Sequence, residues 1–108
     1  MQFRIDIAIY RVSFYFYIGE NEMNEYCKDL EEDDTFLDNS DGMFCDNCIW
    51  LREGNDVFLS VHEITHGIDV LMDEHGLPND TEVRAYLMGY VMQEYLTQLN
   101  IDRESYEI

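Results

Sequence analysis

Two of the three histidines in the chain stand four positions apart, with a glutamate directly after the first: His62-Glu63-Ile64-Thr65-His66. On a helix, residues four apart lie one above the other, so both imidazoles can direct a nitrogen at one metal ion. Glu63, beside the first histidine, can reach a water at the open coordination position without being a ligand itself. It can then take up the proton released in hydrolysis. This is the HExxH arrangement of a zinc site with a general base built in. Val61, Ile64 and Ile68 surround the pair with apolar side chains, as a partly buried helix requires. The competing reading is a pair of ordinary helix histidines in a protein that binds no metal.

A catalytic zinc site takes three protein ligands and leaves the fourth position open. The candidates for the third are Asp69, His75 and Glu82. Glu82 is favoured, because the short turn Gly76-Leu77-Pro78-Asn79 folds the next helix back against the first. Its carboxylate has a competing use as the capping partner of Asn79. Asp69, one turn after His66, is then placed to accept the second ring N–H of a ligating histidine and fix its tautomer. Tyr86 and Tyr90 follow Glu82 at one-turn intervals, and either phenol is a candidate donor to the oxyanion of peptide hydrolysis. Tyr86 is the one expected to be catalytic, the alternative being a half-buried core tyrosine.

His62-Glu63-x-x-His66 followed by Glu82-Val83-Arg84-Ala85-Tyr86 resembles the zincin metallopeptidases, in particular the small gluzincin-type domains of the ImmA/IrrE group. It is also similar to short HExxH proteins encoded by phages and prophages. The resemblance covers about residues 48 to 98. It implies Zn2+ held by His62, His66 and Glu82, with Glu63 as general base in peptide-bond hydrolysis. It does not extend to the metzincins, which would need a histidine where this chain has Met72.

These residues need elements to hold them. Asp56 is a plausible N-cap, and Phe58, Val61, Ile64, Ile68, Leu71 and Met72 recur at helical spacing until Gly76. A second long helix opens at Asn79-Asp80-Thr81-Glu82, where Asn79 and Glu82 can form a capping box, and runs to about Leu99. Mid-helix Gly67 and Gly89 suggest close helix approach. Upstream, residues 3 to 9 and 12 to 18 alternate as strands. Their apolar parity changes near Tyr10 and Arg11, which requires a tight turn or a bulge. A short helix is expected over Asn21–Glu32 and an acidic loop from Glu31 through Asp46. A short strand follows at Cys48–Arg52, the natural edge to which a peptide substrate would add. The expectation is one α+β domain over 1–108, zincin-like, with a short β-sheet packed against the HExxH helix and a second long helix.

Composition limits the partners. Twenty-four acidic residues against six basic ones give a net charge of −18 over 108 residues, while 46% of the chain is apolar, enough for a core. Direct nucleic-acid binding needs clustered Lys and Arg, and this chain has a single lysine, Lys28. A protein or peptide substrate is expected, and a basic one fits the charge best. No apolar stretch has the roughly 20 residues a bilayer crossing takes. The start does not read as a secretory signal, and three cysteines suit a reducing compartment, so a cytoplasmic protein is expected, or a virion-associated one if phage-encoded. Cys45-Asp46-Asn47-Cys48 is a lone CxxC, half of a structural zinc site at most, and reads as reduced loop cysteines. Two non-enzymatic functions compete: an acidic interaction protein, such as a DNA mimic or anti-defence inhibitor, and a phage structural protein that keeps a zincin fold.

Overall fold

The computed structural model describes residues 1–30, 40–78 and 80–99. Among these the elements run β1 (Gln2–Ile7), β2 (Val12–Ile18), α1 (Met23–Asp29), β3 (Gly42–Cys45), β4 (Cys48–Leu51), α2 (Val57–Glu74) and α3 (Thr81–Gln98). The strands form a mixed sheet in the order β1-β2-β4-β3, with β2 and β4 parallel and the other pairs antiparallel. The architecture is α+β. None of the described helices is long and apolar enough to cross a membrane.

The parity change between the first two strands is resolved by a hairpin. Ala8–Tyr10 make a single 3-10 turn and Arg11 takes a left-handed conformation at φ 54°, a role no glycine is present to fill. Ile7 then pairs with Val12 and Ile5 with Phe14, so odd positions of β1 share a face with even positions of β2. That face, with Ile49 and Leu51 of β4, packs against Ile64, Ile68 and Leu71 of α2 and Leu87, Val91 and Tyr95 of α3. On the opposite face Tyr17 and Trp50 pack against Tyr26 and Cys27 of α1.

Two expectations are corrected here. Part of the acidic loop is a strand: Gly42–Cys45 pairs antiparallel with β4, through a two-residue turn in which Asp46 and Asn47 both have positive φ, 49° and 63°. Positive φ at both positions suits the right-handed twist of a tight hairpin, and Asp and Asn tolerate it. The CxxC is therefore a hairpin, with Cys45 and Cys48 directly opposite each other and neither in a disulfide. Residues 31–39 of the expected loop, and the last residues of the expected first helix, lie outside the described residues. As a second consequence, Cys48–Arg52 is not the edge, because β4 runs between β2 and β3, and the sheet edge beside α2 is β3.

The long helices begin and end as their sequences dictate. Asp56 accepts the Leu59 N–H at 3.1 Å, capping α2. At its far end Gly76, with φ 60°, turns the chain so that Leu77 N–H donates to the Met72 carbonyl at 2.9 Å. The cap of α3 is Asp80, which accepts the Glu82 N–H at 2.8 Å. Asn79, the expected cap, lies outside the described residues.

Candidate metal centre

α2 lies over β3 and β4 at one edge of the sheet, and α3 lies over β1 at the other. Gly67 permits the first of these contacts. A methyl group there would come within 3.0 Å of Phe14 Cζ and 3.1 Å of Phe44 Cε2, so the absence of a side chain lets the helix press onto the rings. The close approach expected at Gly67 is thus present. At Gly89 a methyl would meet nothing within 4 Å, and no packing reason for that glycine exists among the described residues.

With Ile64 and Ile68 turned into the core, the 3.6-residue period places His62 and His66 on the outward side of α2 and Glu63 on the flank toward β3. The Nε2 atoms of His62 and His66 lie 3.2 Å apart, their rings at 86° to each other. The Glu63 Oε1 is 3.8 Å from His62 Nε2. Ligand atoms of all three residues fall within 4.8 Å of one another, the one such group of His, Cys, Asp and Glu side chains among the described residues. Both histidines are exposed, whereas Glu63 is buried to 6% exposure. Burial raises the Glu63 carboxyl above its ordinary value, and the nearby His62 and His66 partly oppose that shift. The Phe58 ring stacks alongside His62 with centroids 6.5 Å apart and is itself 78% exposed.

Two of the three protein ligands that a catalytic zinc takes are present, and the one further donor within 4.8 Å among the described residues is Glu63. Two nitrogens bound at about 2.0–2.1 Å on corners of a tetrahedron stand about 3.3 Å apart, close to the separation seen here. The same separation also allows one ring N–H to donate to the other ring, so the pair holds this geometry with or without a metal.

The remaining expected site residues are elsewhere. Thr65 Oγ1 contacts Met88 Sδ at 3.7 Å, and Asp69 pairs with Arg84, which sets α2 and α3 antiparallel with Thr65 opposite Met88. Glu82 therefore stands six residues, or about 9 Å along the axis at 1.5 Å per residue, from the level of Thr65. It also points away from α2, into a cavity shared with Tyr86 and Tyr90 beside β1. The structure thus brings His62, Glu63 and His66 together and leaves Glu82 and Tyr86 out. Tyr90 donates its hydroxyl to the Asp6 carbonyl at 2.9 Å. Asp69 is committed to Arg84, and His75 to the carbonyls of Leu71 and Tyr10, so neither turns to the histidines.

Gly42 was missed as a site residue because it reads as loop punctuation. A methyl on it would come within 3.3 Å of Glu63 Cγ, so the glycine leaves room for the glutamate stem against the edge strand. Comparison of the chain with protein-family models, curated proteins and solved structures finds no match.

Proposed function

We propose that α2 carries a zinc-dependent hydrolytic centre acting on peptide bonds, with His62 and His66 holding the metal and Glu63 serving as general base. The observation that supports it best is the pairing of two convergent imidazole nitrogens, 3.2 Å apart, with a buried carboxylate 3.8 Å from one of them. Zinc, when bound, supplies Lewis-acid activation of water and of the scissile carbonyl. Glu63 takes up the proton that activation releases and passes it to the leaving nitrogen. β3, the edge strand beside Glu63, offers main-chain groups to an added substrate strand. The charge of −18 favours a basic substrate.

The test is elemental analysis of protein purified without added metal, followed by hydrolysis of a basic reporter peptide by the native chain and by Glu63→Gln. Native protein is expected to carry zinc and cleave the peptide. Glu63→Gln should keep the zinc and the melting temperature while losing activity by about a hundredfold or more. Absence of zinc together with a melting temperature indifferent to chelator would sink the metal reading. The −18 charge would then favour the second reading, an acidic interaction protein presenting carboxylates to a basic groove.

A further inference from the structure

Glu82, Tyr86 and Tyr90 do not serve the histidine group, yet they converge on a place of their own. Spaced four apart, they line the side of α3 that faces away from α2, where it meets Ile7 and Tyr10 of the first hairpin. Between them lies a cavity of 610 Å³. That volume is in the range of small-ligand sites, about 300–1,000 Å³. Its walls are fixed from behind. Tyr90 is anchored by its hydrogen bond to the Asp6 carbonyl, and the Tyr10 ring packs against His75 with centroids 5.2 Å apart. Tyr86, 77% exposed, stands at the mouth. The Glu82 carboxylate has no ion-pair partner among the described residues, and the start of α3 is already satisfied by Asp80.

We propose that this cavity binds a small organic ammonium ligand, one cationic nitrogen carried on an apolar body. Tyr10, Tyr86 and Tyr90 line the cavity with three aromatic rings, whose quadrupoles attract a cation, and Glu82 supplies the counter-charge. Ile7 and Val83 receive the apolar body. An anion would meet Glu82 and the −18 charge of the chain. A neutral apolar guest would strip water from the Glu82 carboxylate without pairing it, which costs free energy. A second copy seated here would place one Glu82 near another and bring two strongly acidic chains together. The inference is independent of any metal at His62 and His66, which belong to the opposite edge of the sheet.

The experiment is an NMR titration of the full chain with three probes that share an apolar body: 3-phenylpropyltrimethylammonium, 3-phenylpropanol and 3-phenylpropanoate. The ammonium is expected to bind saturably with a Kd of about 1 mM or tighter, with shift changes confined to Ile7–Tyr10 and the 82–90 stretch of α3. The alcohol should bind at least about fivefold more weakly and the carboxylate not at all. Glu82→Gln and Tyr86→Leu, both at exposed positions, should each weaken the ammonium by about five- to tenfold. Glu25→Gln on α1, which removes the same charge on the opposite face of the sheet, should leave it unchanged. Failure to saturate by about 10 mM, equal binding of alcohol and ammonium, or equal weakening by Glu25→Gln and Glu82→Gln would each overturn the proposal.

Discussion

The stem of Glu63 rests on Gly42: any side chain at that glycine would come within 3.3 Å of Glu63 Cγ and 3.0 Å of Leu51 Cδ2. This contact holds the one buried carboxylate of α2 between the edge strand and the two histidines. Burial against the sheet and closeness to His62 are thus imposed on Glu63 together, by the way α2 crosses β3.

Gly42→Ala is therefore expected to act on the site from a strand that carries none of its polar groups. Leu51 is fully buried and has little freedom to yield, so the extra methyl should cost about 1–2 kcal/mol of stability. Because Glu63 must give way as well, peptide hydrolysis should fall by more than zinc affinity does. Parallel measurement of thermal unfolding, zinc content and turnover checks this; equal losses in affinity and turnover would mean that the methyl disturbs the whole helix.

Zinc ligation separates the residues the structure gathers from those the sequence spacing favoured. His62→Ala and His66→Ala should each abolish stoichiometric zinc binding, since each removes one of two convergent nitrogens. Glu82→Ala should leave zinc binding unchanged, because that carboxylate lies about 9 Å along the helix from the level of the site and on the other side of α3. A zinc titration in competition with a chelator reads all three. Loss of binding in Glu82→Ala would restore the expectation drawn from the turn after Gly76.

Glu82 stands apart from the two histidines because of how α3 is rotated. A short turn between two helices guarantees an antiparallel return, and that much was legible from Gly76 and Pro78. Which side of the returning helix faces back depends on its rotation, set here by Leu87 and Val91 entering the core and by Arg84 reaching Asp69. Period-3.6 patterning in α3 is blurred by apolar and aromatic residues on several faces, so that rotation was not readable. The opposite holds in α2, where Ile64, Ile68 and Leu71 mark one side cleanly and the placement of His62, Glu63 and His66 follows from it. β3 escaped notice for a different reason. It is four residues long, none of them fully buried, and its hairpin turn is Asp-Asn rather than a glycine pair.

Alkaline stability should reflect the thiol of Cys48, beside the turn of that hairpin. Cys48 is raised above its ordinary value of 9.0, chiefly by burial, with a hydrogen bond to Tyr17 acting in the other direction. Tyr17, Tyr26 and Tyr95 are raised by burial as well. Each of these groups holds its proton longer in the folded chain than in the unfolded one. The unfolded state thus binds fewer protons from about pH 9 upward, and stability declines as pH rises through that window. Cys48→Ser removes the earliest of these titrations. Its unfolding free energy is expected to decline less between pH 8.5 and 10 than that of the native chain, as urea denaturation at stepped pH would show. A parallel decline in the two proteins would exclude Cys48 as a contributor.

The two mid-helix glycines make the sharpest comparison, because one substitution should have opposite signs in helices of equal length. Replacing glycine by alanine in a helix interior favours folding by about 1 kcal/mol through backbone entropy alone. At Gly89 nothing stands within 4 Å of the new methyl, so Gly89→Ala should gain most of that amount. At Gly67 the methyl would approach Phe14 Cζ at 3.0 Å and Phe44 Cε2 at 3.1 Å, and Phe14 is fully buried. Accommodation requires α2 to lift from the sheet or the rings to shift, at a cost of typically 1–3 kcal/mol that exceeds the entropic gain. Gly67→Ala should therefore be destabilised overall, with peptide hydrolysis reduced more than zinc affinity, since lifting α2 moves Glu63 relative to β3 while His62 and His66 travel together on the helix. Thermal unfolding of both variants, with and without zinc, decides the matter: a stabilised Gly67→Ala would show that the helix does not press on Phe14 and Phe44 as described.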